Sequence, residues 1–126
     1  MNSSLKAALI VFLGSGIGGV ARYGLQTFVL KIYPHVFPYG TMIVNILGCF
    51  LIGIFYALSQ KSGVMSPEWL LALTTGLCGG FTTFSAFAYE NMSLFKTGNY
   101  LFVSIYIIAS VVFGIAAVFA GSLLIK

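Results

Sequence analysis

From Trp69 to Tyr89 the sequence reads WLLALTTGLCGGFTTFSAFAY, a stretch without a charged side chain. A run of this length is typical of a helix that crosses a membrane, which takes about 20 apolar residues. The segment GGFTTFSAF, Gly79 to Phe87, is unusual for such a helix because it combines paired glycines with hydroxyl groups and phenylalanine rings. The stretch therefore predicts a membrane span with a polar feature in its interior.

The composition of the whole chain also indicates a membrane protein. Of its 126 residues, 60% are hydrophobic and only 6% are charged, whereas a soluble domain has about 25% charged residues. Such a chain cannot cover a water-facing surface. The basic residues are scattered along the sequence and form no patch, so binding to nucleic acid is not expected.

Charged residues, prolines and glycines divide the chain into four long apolar segments joined by short connections. The segments are Leu5–Leu30, Tyr39–Ser59, Trp69–Phe95 and Tyr100–Ile125. Each is long enough to span a bilayer, and only helices suit such spans because lipid offers no partner to a bare backbone group. We therefore predict an all-α integral membrane protein with one four-helix domain over residues 1–126. A cleaved signal peptide is an alternative for the first segment, but its removal would discard the helix that carries Arg22.

The basic residues are almost evenly divided between the two sides of the predicted membrane. Lys6, Lys61 and Lys126 belong to one side, and Lys31 and Lys96 to the other, with Arg22 near that second interface. Orientation normally follows an excess of Lys and Arg in cytoplasmic loops. The near balance favours dual topology, in which chains insert both ways and pair as an antiparallel homodimer with its two-fold axis in the membrane plane. The alternative is that so few charges carry no information.

Two polar residues lie inside the first two segments. Arg22 is about 13 Å from Lys31 along a helix and follows Gly14 and Gly18 at four-residue steps, so it shares their small-residue face. It either extends to the interface or faces a wet vestibule, where it would attract anions. Asn45 follows Thr41 by one helical turn. Its amide either bonds a neighbouring helix or offers N–H donors to a pathway.

Further polar and aromatic positions follow helical spacing in the last two segments. Tyr106 and Ser110 are four residues apart, which favours either interhelical hydrogen bonds or a polar stripe. Phe84 and Phe87 share a face with Thr83. Ring edges are positive and could attract an anion weakly, although phenylalanine in a membrane helix usually serves packing.

Several kinds of site are missing from the sequence. Glu68 and Glu90 fall near the ends of the third segment, and no acid lies in the middle of a span. Cation and proton antiporters normally need an intramembrane carboxylate. The sequence has no nucleophile–base pair, metal-ligand cluster or phosphate loop, so we do not expect an enzyme. Cys49 and Cys78 are interpreted as reduced, apolar packing residues.

The paired glycines suggest that the third helix is broken in the middle of the membrane. Gly79 and Gly80 weaken a helix by about 1 kcal/mol each, and the hydroxyls of Thr82 and Thr83 compete for backbone hydrogen bonds. Carbonyls freed by a break need a partner, and a cation shared by two antiparallel chains would supply one. The alternative is a tight helix crossing that only requires glycine.

At this point a family resemblance is evident. GGFTTFSAF, the GxxxR pattern from Gly18 to Arg22 and GTMIVNILG from Gly40 to Gly48 together resemble the CrcB/Fluc fluoride channels over the whole chain. One departure is Ala86, where the family pattern often has Thr. At this position the chain has no hydroxyl group to contribute to the polar lining of the channel that the resemblance implies.

The resemblance implies a fluoride-selective channel for passive fluoride export in the bacterial cytoplasmic (inner) membrane, built as an antiparallel homodimer. It implies a structural sodium ion at the dimer interface, held by backbone carbonyls of both chains, and it assigns roles to individual residues. The implied sodium ligands are Gly79 and Thr82, the vestibule cation is Arg22, and the fluoride pathway consists of Asn45, Phe84, Phe87, Thr83, Tyr106, Ser110 and Thr41.

Two other classes of protein share the short four-span architecture. A small dual-topology multidrug or guanidinium antiporter would need a Glu in the first span, where this chain has Arg22 and no acid. A structural or holin-like subunit would leave Asn45 and the Gly79–Phe87 segment unexplained.

Overall fold

The computed structural model describes residues 2–125, and their regular structure is entirely helical. The elements in chain order are α1 (Ser3–Ile32), α2 (Tyr39–Ser59), α3 (Pro67–Leu71), a π-helical stretch (Ala72–Cys78), α4 (Gly79–Phe81), α5 (Phe84–Lys96) and α6 (Tyr100–Leu124). We call Pro67–Lys96, from α3 to α5, the third span. The prediction of an all-helical membrane protein is confirmed: within the described range, four helical segments are long and apolar enough to cross a membrane.

Local sequence signals set the ends of these helices. The Asn2 side chain accepts a hydrogen bond from the Leu5 N–H at 2.7 Å and caps the start of α1. Ser66 caps α3 in the same way, and Pro67 occupies the first helical position, where its missing N–H costs nothing. Gly98 has a φ of 81° in the turn before α6, a conformation that favours glycine.

The helices pack through glycines that let backbones approach closely. On α1, a Cβ at Gly14 would lie 2.7 Å from the Ala72 carbonyl oxygen, and one at Gly18 would collide with the Leu77 carbonyl oxygen. On α2, a Cβ at Gly53 would collide with the Val118 carbonyl of α6. The first span therefore packs against the third, and the second packs against the last.

An exposed ion pair shows which helix ends lie together. Lys6 at the start of α1 is 3.8 Å from Glu68 at the start of α3. The first and third spans thus begin at the same end of the molecule, as expected when four spans alternate in direction. Because both side chains are exposed, the pair contributes little to stability.

Candidate functional site

The third span contains two consecutive residues with extended backbone. Helix α4 ends at Phe81, and α5 begins at Phe84. Between them, Thr82 has φ −90° and ψ 160°, and Thr83 has φ −151° and ψ 121°. We call these two residues the interruption.

The threonine hydroxyls at the interruption bond to backbone groups of the flanking helices. Thr82 Oγ1 donates to the Cys78 carbonyl at 3.0 Å. Thr83 Oγ1 accepts from the Ala86 N–H at 3.1 Å and caps α5. This is the competition between side chain and backbone for which Thr is suited.

Asn45 of α2 holds the interruption from the side. Its Oδ1 accepts from the Thr83 N–H at 2.8 Å, and its Nδ2 donates to the Thr83 carbonyl at 3.0 Å. The amide thus satisfies both backbone groups of one extended residue. Since a primary amide has two N–H donors, one remains for another acceptor.

Arg22 of α1 approaches the interruption from another helix. Its Nε donates to the Gly80 carbonyl at 3.1 Å. In a continuous helix this carbonyl would accept from the N–H of Phe84, the residue four positions later. The Arg22 side chain therefore faces the third span, as its position on the face of Gly14 and Gly18 predicts.

Two other carbonyls next to the interruption lose their helical donors. The N–H of Thr83, which would serve Gly79 in a continuous helix, donates to Asn45. The N–H of Ala86, which would serve Thr82, donates to Thr83 Oγ1. The carbonyl oxygens of Gly79 and Thr82 are therefore left without their helical partners. In the single chain Gly79 is exposed and Thr82 is half-buried, and inside a bilayer such carbonyls need a substitute partner.

A groove of about 490 Å³ runs past these carbonyls along α2 and the third span. Its walls include Asn45 and Cys49 from α2 and Gly79, Thr82 and Phe84 from the third span. Phe84 is 78% exposed in the single chain. This face of the chain is therefore an open surface with polar backbone groups in it.

The two phenylalanines of the opening segment lie side by side. The ring centroids of Phe84 and Phe87 are 5.6 Å apart, and the rings are inclined by 44°. Phe87 also meets the Tyr106 ring at 4.8 Å in an edge-on arrangement. The rings thus connect the interruption to the region around Tyr106.

A polar network lies beyond the rings and is centred on Glu90. Its carboxylate accepts from Thr41 Oγ1 and from the Tyr106 hydroxyl, both at 2.7 Å. Thr41 in turn accepts from Gln26 Nε2 at 3.0 Å. Gln26, Thr41 and Glu90 also line a second pocket of about 400 Å³, whose wall among the described residues does not include Arg22.

Tyr106 and Ser110 on α6 have different surroundings. Tyr106 is fully buried and packs against the edges of Phe87 and Phe37. The Ser110 hydroxyl is also buried, but it has no hydrogen-bond partner among the described residues. It therefore does not make the interhelical bond that was one interpretation of this stripe.

The structure thus groups the predicted residues around two centres. Asn45, Thr83, Arg22 and the carbonyls of Gly79 and Thr82 lie at the interruption, while Thr41 and Tyr106 meet at Glu90. Sequence reasoning missed Gln26 and Glu90. A signal for Glu90 was present, since it follows Thr83 and Phe87 at steps of four and three residues on one helical face.

Comparison with known proteins gives a consistent match over nearly the whole chain. The model of the family described as CrcB-like protein, Camphor Resistance (CrcB), matches residues 9–122. A Leptospira interrogans protein is 44% identical over 126 residues, which is 100% of this chain and 98% of that protein. A Phocaeicola vulgatus protein is 48% identical over 117 residues, 93% and 96% of the two chains. A Rhizobium etli protein is 47% identical over 114 residues, 90% and 91%. All three relatives are named fluoride-specific ion channel FluC.

Proposed function

This chain belongs to the CrcB family, and we propose that it is a fluoride-selective channel through which fluoride leaves the cytoplasm down its gradient. The observation that carries the proposal is the match at 44% and 48% identity to nearly full-length proteins named fluoride-specific ion channel. Neutral HF enters cells from acidic surroundings and dissociates inside, so a passive path for the anion relieves fluoride toxicity. For such a role the channel belongs in the bacterial cytoplasmic membrane.

The polar groups near the interruption have the chemistry that a fluoride path needs. Fluoride is small and strongly hydrated, so a pore must replace its water with several hydrogen-bond donors. Asn45 keeps one amide N–H beyond its bond to Thr83, and the buried Ser110 hydroxyl has no partner among the described residues. These two groups are available as donors to a passing anion.

The rings of Phe84 and Phe87 would continue the path between these donors. Their hydrogen-bearing edges are weakly positive, so they can attract an anion without binding it tightly. Phe87 touches Tyr106, and the Tyr106 and Thr41 hydroxyls donate to Glu90. We propose that an arriving fluoride competes with the Glu90 carboxylate for these two hydroxyls, which helps the ion to leave again.

The open groove at the interruption is proposed as the contact surface of an antiparallel homodimer. One chain offers only the carbonyls of Gly79 and Thr82, which is too few oxygens to replace the water around a cation. A second copy related by a two-fold axis would bring its own pair to the same point. The interruption would then lie near the middle of the membrane, where irregular backbone is tolerated only inside protein or beside a water-filled cavity.

A sodium ion suits this arrangement of oxygens. Unwound backbone carbonyls are the ligands that hold Na⁺ in other membrane proteins with broken helices. The carbonyls of Gly79 and Thr82 have lost their helical donors and both residues line the groove, so they fit such an ion. When bound, the ion would take the place of the N–H donors that these carbonyls have lost, and it would join the two chains.

The proposal is tested by anion efflux from liposomes that contain the purified protein. Fluoride and chloride release are followed with ion-selective electrodes, and protein-free liposomes serve as the control. We expect fast fluoride release and chloride release at the control rate. Chloride release as fast as fluoride release would contradict selectivity. Absence of fluoride release from folded protein would contradict the channel and favour the antiporter or the structural subunit.

A further inference from the structure

Arg22 makes its only side-chain hydrogen bond within the described residues to the backbone of the third span. The bond runs from Nε to the Gly80 carbonyl and measures 3.1 Å. Gly18 and Gly14, one and two helical turns earlier, bring α1 into close backbone contact with the same span. The guanidinium is thus held against the third span by the packing of the whole helix.

The Gly80 carbonyl needs this bond because of the interruption. The carbonyls of the last helical turn have no intrahelical donors. At the end of α4, the Cys78 carbonyl accepts from the Thr82 N–H and hydroxyl, whereas Gly80 has Arg22. Arg22 thus satisfies a carbonyl that lies between the two that we propose as sodium ligands, Gly79 and Thr82.

The charge of Arg22 also matches this location. The helical run from Pro67 to Phe81 ends here, and the C-terminal end of a helix carries partial negative charge. A guanidinium placed at that end is partly compensated, which weakens its field on anions in solution. Among the described residues, those that line the polar pocket around Gln26, Thr41 and Glu90 do not include Arg22.

We infer that Arg22 is a positioning residue: it fixes the carbonyl end of α4 and thereby sets the geometry of the interruption. It does not act mainly by attracting fluoride. The expected effect of Arg22 on fluoride flux rests on the proposed function. The structural part of the inference, that the Nε donor holds the Gly80 carbonyl, is independent of what the channel conducts.

Three substitutions separate the donor from the charge. Arg22→Gln places an amide N–H at the chain position of Nε and removes the charge. Arg22→Lys keeps the charge but has a methylene at that position, and Arg22→Met removes both. The measurements are fluoride efflux from liposomes and hydrogen–deuterium exchange over residues 79–86 in detergent.

For a positioning role we expect Arg22→Gln to retain flux and slow exchange, with Arg22→Lys and Arg22→Met losing both. The loss should be about tenfold or more, since one hydrogen bond contributes a factor of that order. If Arg22→Lys keeps wild-type flux and exchange while Arg22→Gln loses flux, anion attraction is the main role and the inference is wrong.

Hydrogen–deuterium exchange tests the inference even if one variant does not fold or the protein does not conduct fluoride. If Arg22→Met does not fold, the comparison of Arg22→Gln with Arg22→Lys still decides. If the wild-type protein conducts no fluoride, the proposed function fails, but faster exchange over residues 79–86 in Arg22→Lys than in Arg22→Gln would still support the positioning role. Equal exchange in those two variants would overturn it.

Discussion

Asn45 connects α2 to the third span through a pair of hydrogen bonds to a single extended residue. Both backbone groups of Thr83 depend on this amide. A buried backbone group that loses its partner costs about 1–3 kcal/mol. The side chain is therefore as important for the shape of the interruption as for any contact with an ion.

Asn45→Leu should lower the free energy of unfolding by about 1–3 kcal/mol for each Thr83 group left unpaired. The measurement is thermal or denaturant unfolding in detergent, followed by circular dichroism. Asn91→Leu is the matched control, because Asn91 bonds only the Phe87 carbonyl of its own helix and its Oδ1 has no partner among the described residues. Equal destabilisation by the two substitutions would show that the bonds to Thr83 contribute no extra stability.

Phe84→Ile should reduce fluoride efflux to the rate of protein-free liposomes and leave the proposed dimer intact. Isoleucine keeps an apolar side chain but has no positive ring edge to offer an anion. Phe113→Ile, at a ring of α6 that is 55% exposed, is the control and should conduct normally. Efflux from Phe84→Ile near the wild-type rate would rule out a role for the ring edge.

At the scale of the helices, the third span is shaped by what packs against it. The Ser15 hydroxyl donates to the Gly76 carbonyl in the π-helical stretch at 3.4 Å. A Cβ at Gly80 would collide with the Ser15 carbonyl. Because α1 touches the third span before and at its interruption, the separation of the two helices controls whether Arg22 reaches Gly80.

Gly18→Ala should therefore destabilise the protein by about 1–3 kcal/mol, the usual cost of an extra group in a packed interface. The new Cβ meets the backbone oxygen of Leu77, which cannot move aside as a side chain could. Gly16→Ala is the control, since a Cβ there meets nothing within 4 Å. Only Gly18→Ala should lower both the stability measured by unfolding in detergent and the rate of fluoride efflux. Tolerance of both substitutions would contradict the close packing of α1 on the third span.

At the scale of the whole molecule, the two faces of the bundle differ in chemistry. Most large apolar side chains that are exposed in the single chain suit lipid, whereas the groove at the interruption exposes polar backbone. Within a membrane, a surface of that kind needs a protein partner or a water-filled cavity. Together with the near balance of basic residues, it favours a second copy in the opposite orientation.

Dual topology predicts that the loop between α2 and α3, residues 60–66, can be labelled from both sides of the membrane. In sealed vesicles, an impermeant maleimide should modify about half of Ser62→Cys chains, and the rest only after permeabilisation. The wild-type chain measures the background from its own thiols in the spans, Cys49 and Cys78. Complete labelling from one side would exclude dual topology.

Added lysines at the end of α2 and in the loop that follows it should disturb this balance. Ser59→Lys with Ser62→Lys is expected to favour one orientation and to lower fluoride efflux, because fewer chains then find an antiparallel partner. Ser59→Glu with Ser62→Glu is the control, since acidic residues contribute little to orientation. Reduced efflux in the control alone would contradict this explanation.

The four spans and the family can both be read from the order of residues alone. Hydropathy is summed over about 20 neighbouring residues, so it needs no knowledge of the fold, and the helices at 3–32, 39–59, 67–96 and 100–124 agree closely with the predicted segments. The family resemblance based on GGFTTFSAF and its two companion motifs is also confirmed. Helical spacing further placed Arg22 on the packing face of α1.

Which groups meet depends on how the helices pack. Spacing gives the angle between two side chains on one helix, but not which neighbouring helix each will face. The pairing of Asn45 with Thr83, of Arg22 with Gly80 and of Glu90 with Thr41 and Tyr106 joins residues from different spans. The sequence shows that Glu90 lies near the end of a span, but it does not show that the hydroxyls of Thr41 and Tyr106 donate to its carboxylate.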